Sequence, residues 1–79
     1  MGFAKTEREW AERAARHLKA ELKRADVTYE ELAERLKAHG FTETKASISN
    51  KLARATVPAS FFLACLATLE LDGVRLEDI

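Results

Sequence analysis

The residues of this chain best able to do chemistry lie between positions 44 and 54, in the run TKASISNKLAR. At roughly 100° per residue, Ser47, Asn50 and Arg54 fall opposite Ile48 and Leu52, with Ala46 and Ala53 beside them. An outer face built from two alanines, a serine, an asparagine and an arginine is thin. It lets a helix backbone come close to another molecule while offering side chains that read base edges or phosphates. Asparagine can bond adenine N6 and N7 together, and arginine can bond guanine O6 and N7. Alanine, serine and asparagine are also ordinary on a solvated helix, so the surrounding elements must decide between the two readings.

Other chemistry is poorly represented. His17 and His39 are the only histidines, they sit on separate predicted helices, and no Cys/His or carboxylate group has metal-ligand spacing. His39, beside Gly40, suits the negative end of a helix dipole. Cys65, between Ala64 and Leu66, reads as a small core residue, and a single cysteine permits no internal disulfide. No glycine-rich phosphate loop, nucleophile elbow or dinucleotide fingerprint occurs. The expectation is a protein that is not an enzyme and uses no metal or cofactor.

The elements that would position the 44–54 run can be read from spacing. Thr28 and Glu31 form a capping-box pair opening a helix that buries Leu32, Ala33 and Leu36, with Tyr29 leaning inward. Gly40 is a natural stop, and Phe41 is placed to fold back on Leu36. The next helix runs from about Thr44 to Arg54 and buries Ile48, Leu52 and Ala55. Upstream, a long helix spans Thr6 to about Ala25, capped by Thr6 and Glu9 and stapled by Phe3. Its predicted stripe is Trp10, Ala14, Leu18 and Leu22, with Glu9–Arg13 and Glu12–Arg16 as i, i+4 pairs. Lys19, Lys23 and Arg24 fall in its last turns, where cations suit the helix dipole.

Downstream, Pro58 or Ser60 opens a helix to Leu69 that carries no charge. Phe62, Cys65, Leu66 and Leu69 share one face, which leaves Phe61 and Leu63 outside it. A helix apolar nearly all round is central to the core or covered by a partner. A homodimer contact at Phe61, Phe62 and Leu63 is the resulting expectation. Val74, Leu76 and Ile79 are expected to close the bottom of the core.

Composition sets the frame. Seventy-nine residues, 47% hydrophobic and 33% charged, with one proline and three glycines, indicate a single all-α domain over 1–79. A chain this short buries only about 60–65% of its unfolded surface, so a second copy of itself could contribute to stability. No apolar run approaches membrane-spanning length and no secretory leader is evident, so a cytoplasmic location is expected. Net charge is zero, which counts against nucleic acid, but the charge is polarised. Residues 35–56 hold Arg35, Lys37, Lys45, Lys51 and Arg54 against Glu43 alone, while the last ten residues hold four acids against Arg75.

From Val27 to Leu71 the chain resembles the λ-repressor-like (Cro or XRE-type) helix-turn-helix domains. The resemblance rests on VTYEELAERL, then SISNKL, then Pro58, then a helix ending LATLEL. It implies a compact domain of four or five helices that binds double-stranded DNA as a dimer and regulates transcription. By position it carries base reading to Thr44, Ser47 and Asn50 and backbone contact to Lys45, Lys51 and Arg54. Two departures stand out. The turn around HGFTE is about five residues longer than the repressor turn, which would loosen the presentation of the 44–54 helix. Ala55 and Tyr29 stand where the pattern has Gly and Gln.

Over nearly its whole length the chain also resembles a set of small bacterial domains of unknown function. Here the shared residues are Trp10, Leu18, Lys19, Tyr29, Leu32, Ala33, Arg35, Leu36, Gly40, Glu43 and Thr44. They continue as Ser47, Asn50, Lys51, Arg54, Phe61, Phe62 and Leu66. The alternative to DNA binding is a helical protein-interaction module that uses the uncharged 57–69 helix.

Overall fold

The computed structural model describes residues 2–79. Four helices follow in order: α1 (Glu7–Ala25), α2 (Tyr29–Leu36), α3 (Lys45–Arg54) and α4 (Ala59–Thr68). Short 3₁₀ turns cover Lys37–His39 and Leu76–Asp78, and there is no strand among the described residues.

Threonine caps open the first three helices, at Thr6 and Thr28 as the spacing predicts and at Thr44 in addition. Thr6 Oγ1 accepts from the Glu9 N–H at 3.1 Å, although Glu9 returns only to the Thr6 hydroxyl, so this box is half formed. Thr28 and Glu31 are fully reciprocal, at 3.1 and 3.2 Å. The Thr28 N–H and hydroxyl, both donating to its carboxylate, hold the Glu31 pKa below its ordinary value. Thr44 pairs with Ser47 in the same way, at 3.0 and 2.8 Å. Pro58 precedes α4 without a side-chain cap.

The four helical runs also end alike. Asp26, Gly40, Ala55 and Glu70 take the left-handed conformation, with φ of 58°, 83°, 56° and 59°. The following N–H groups reach back five residues, Val27 to Leu22, Phe41 to Leu36, Thr56 to Lys51 and Leu71 to Leu66, at 2.9–3.1 Å. These are Schellman ends, and three of them place an L residue where glycine is easiest. At Gly40 a Cβ would meet open space, so its backbone angle alone calls for glycine.

The core is built on Leu18, Leu22, Leu32, Leu36, Ile48, Leu52, Phe61 and Cys65. Helices α1 and α2 each pack against both α3 and α4. The buried face of α1 is Ala15, Leu18 and Leu22 with Ala11 partly buried, not the predicted run beginning at Trp10 and Ala14. Steps of four drift by about 40° each, so Trp10 lies about 120° from Leu22, and only a 4-3-4 spacing keeps one face. Trp10 is left 37% exposed against the Phe3 ring, centroids 6.2 Å apart. The Glu9–Arg13 and Glu12–Arg16 pairs do not form; Arg8 pairs with Glu12, and Arg13 donates to the Gly2 carbonyl. Tyr29 packs partly buried against the core, as expected, while Leu76 is exposed and leaves the base of the core to Val74, Leu71 and Leu69.

Phe61 is a correction of another kind. It is 1% exposed and sits in the chain's own core, so it cannot belong to a dimer surface. On a helix apolar nearly all round, the wheel alone cannot choose the buried arc. Contact with the turn before α3 chooses it, because the Phe41 and Phe61 rings meet edge to face, 6.3 Å between centroids. Phe62 is then half-buried, and Leu63 is 64% exposed.

Candidate nucleic-acid interface

The six positions singled out on and before α3 divide into two groups. Thr44 and Ser47 are occupied with each other at the start of the helix. Ser47 Oγ also donates to Glu43 Oε1 at 2.6 Å. Lys51 is turned the same way, its ammonium 3.0 Å from both Glu43 oxygens and 5.4 Å from the Phe61 ring centre. Glu43, whose side chain is 10% exposed, therefore gathers Ser47 and Lys51 beneath it. Thr44, Ser47 and Lys51 thus hold the helix in place, and the Ser47 and Lys51 side chains are drawn in toward Glu43.

Lys45, Asn50 and Arg54 remain on the exposed side, with Ala46, Ala53 and Ser49 between them. Ser49 takes the outward place expected of Ser47. The reason is geometric: at N3 a serine is drawn back to the cap, which removes it from the outer face. Lys45 lies 3.8 Å from Glu30 of α2, a solvent-exposed ion pair of little energetic weight. Asn50 and Arg54 have no side-chain hydrogen bond or ion pair among the described residues.

Sequence reasoning missed what flanks this face. A shallow groove of about 220 Å³ runs between α1 and the end of α3, with Arg8, Arg16 and Lys19 on one bank and Ala53 and Ala55 on the other. Arg8 is tied to Glu12, but Arg16 and Lys19 are not paired among the described residues. Had the α1 register been set on Ala15 and Leu18, residues 16 and 19 would have been seen to border that face. The cations assigned to the helix dipole thus separate: Arg24 turns to Glu21, while Lys19 turns toward α3.

Cys65 lies deep under this arrangement. Burial, with the Glu43 carboxylate adding to it, pushes its thiol up to about 12. A thiol in that setting is inert, as the reading of Cys65 as a core residue anticipates. The described residues contain no group of three or more His, Cys, Asp or Glu placed to hold a metal ion. No helix among them is long and apolar enough to cross a membrane.

Residues 10–74 match the family described as Domain of unknown function (DUF6471). The chain belongs to that family. The DUF6471 span takes in all of α2, α3 and α4, so it includes the Glu43–Ser47–Lys51 cluster and the exposed face of α3. Phe3 precedes it, and the Leu76–Asp78 turn follows it. Neither a curated protein nor a solved structure matches the chain.

Proposed function

We propose that this DUF6471 chain is a sequence-specific double-stranded DNA-binding protein of the λ-repressor-like helix-turn-helix kind. In this reading it acts as a cytoplasmic transcription regulator, as a dimer, with α3 as the recognition helix. One observation carries the proposal: the exposed face of α3 combines small residues with the uncommitted Asn50 and Arg54, and Arg16 and Lys19 border it from α1. Small residues allow close approach to a groove floor, the amide can read adenine, and the flanking cations suit phosphates on either bank. The readers in this proposal are Asn50 and Ser49, and the phosphate contacts are Lys45, Arg54, Arg16 and Lys19. Thr44, Ser47 and Lys51 serve by fixing the helix.

The test is fluorescence anisotropy with duplex DNA at about 50 and 200 mM salt, where several phosphate contacts produce a loss of at least about tenfold in affinity. Asn50→Ala relaxes base preference, and Arg54→Ala weakens all sequences alike. Salt-independent binding, or none at low salt, would sink the proposal.

A second reading is favoured by a separate observation. Trp10, Val57, Phe62, Leu63 and Leu76 line an apolar groove of about 310 Å³ between α1 and α4. In the first reading this groove holds the sister subunit, through Phe62 and Leu63. In the second it holds another protein, and the chain is a helical interaction module with no DNA role. Retention of a stoichiometric protein partner by the wild type but not by Leu63→Glu, with no duplex bound, decides for the module.

A further inference from the structure

A second cleft, of about 510 Å³, lies away from α3, between α1 and the segment from Gly73 to Ile79. Its floor is one face of α1. Positions 13, 17, 20 and 24 follow i, i+4, i+7, i+11 spacing, so Arg13, His17, Ala20 and Arg24 point the same way, and Arg16 borders them. Ala20 leaves the middle of that face low. The opposite wall brings Arg75 and Asp78 together with the apolar Val74 and Ile79.

Four of the chain's seven arginines line this cleft, against two acidic side chains, Glu21 and Asp78. Arg24 pairs with Glu21 and Arg75 with Glu77. Arg13 makes one bond, to the Gly2 carbonyl at 3.0 Å, and Arg16 makes none among the described residues. A zero-charge protein has thus concentrated its planar cations in a concave place of small-ligand size, where guanidinium groups favour bidentate oxyanions.

We propose that this cleft binds a phosphate-bearing small molecule, an oligophosphate or a nucleotide, through Arg13, Arg16 and Arg75. Two features fix the class. Arg13 and Arg16 stand one turn apart on the floor with Arg75 on the opposite wall, a spread of cations that a chain of phosphates can engage together. A duplex is too wide to enter a cleft of this volume, and Arg16 is the one residue the site shares with the face proposed for DNA. The half-buried His17 ring reports on the site from within. Its pKa lies below its ordinary value because burial disfavours the cation and Arg24 repels it, with Asp78 acting in the opposite sense.

The experiment follows the ring resonances of His17 and His39 by NMR during a titration with inorganic tripolyphosphate at fixed ionic strength. His39 is exposed in the turn after α2 and serves as the internal reference. The expected result is a saturable shift at His17 alone, with its titration midpoint moved upward. Arg13→Gln with Arg16→Gln should weaken that binding by about tenfold or more, while Arg35→Gln leaves it unchanged. Equal, unsaturable shifts at both histidines overturn the proposal, as does undiminished binding by the double variant. It also fails if a short duplex reproduces the His17 shift and tripolyphosphate does not.

Discussion

Replacing Lys51 by methionine should destabilise the fold and not merely weaken contact with a polyanion. The substitution keeps most of the stem's volume and removes the ammonium. The Glu43 carboxylate would keep only the Ser47 hydroxyl at 2.6 Å, and Phe61 would lose the cation 5.4 Å from its ring centre. Breaking a fully buried ion pair costs about 3–5 kcal/mol. Here the Lys51 side chain is 27% exposed and Glu43 10%, so water relieves part of that, and about 2–3 kcal/mol is expected. Against a total stability of about 4–12 kcal/mol for a chain of this length, the loss is large. At about 4–8 °C per kcal/mol, Tm should fall by about 10–20 °C.

The assay is urea unfolding followed by circular dichroism, on Lys51→Met, Glu43→Gln and the double variant. Glu43→Gln strands a lysine that can still reach water and should cost about 1 kcal/mol. The double variant leaves no unpaired charge, so the cycle should show a coupling of about 1.5 kcal/mol or more. Arg54→Met, on the exposed face, is the control and should stay within about 0.5 kcal/mol of wild type. A Lys51→Met change as small as the Arg54 control, with no coupling to Glu43, would refute the claim that this cluster fixes α3.

Four further outcomes follow from the geometry. Glu70→Gly should stabilise by about 0.5–1 kcal/mol in the same urea assay, because relief at φ 59° exceeds the added freedom of the unfolded chain. Ala55→Gly should be nearly neutral, since its buried methyl, worth about 0.8 kcal/mol, is lost in exchange. Cys65 should resist iodoacetamide in the folded protein and label fully in concentrated urea, with Lys51→Met labelling faster; rapid native labelling would contradict its burial. His17 should make stability fall on acidification. Its folded pKa is depressed below 6.5, so the unfolded state binds more protons as pH drops below that value, and the loss levels off beneath the folded pKa. Urea midpoints at about pH 7.5 and 5.5 should converge in His17→Gln and not in His39→Gln.

Helix boundaries, caps and the Gly40 stop could be read from the chain because they depend on neighbours within four or five residues. Thr28 with Glu31 acts wherever the tertiary fold places it. Which side of a helix is buried was less accessible where the pattern was ambiguous. Trp10 was drawn into the core stripe by steps of four that drift around the helix. Phe61 was drawn outward because α4 offers apolar side chains in nearly every direction. In the site, Asn50, Arg54 and Lys45 keep their predicted exposure. Ser47 and Lys51 do not, because their partner Glu43 lies outside the helix and wheel geometry cannot register it.

That partner also answers the question raised by the long turn. A connection with several extra residues should let α3 swing, and the expectation was a loosened presentation. Instead the turn is fastened at both ends. Gly40 reverses the chain so that the Phe41 N–H closes on Leu36 at 3.1 Å and its ring lies against Phe61. At the other end Glu43, the residue before the Thr44 cap, clasps Lys51 two turns into α3. The added residues therefore supply anchors that a tight turn has no room for, an aromatic wedge toward α4 and a carboxylate toward α3. If α3 meets another molecule, its angle is set by these two contacts more than by the length of the chain between the helices. Loosening it then requires removing Phe41 or Glu43, not shortening the loop.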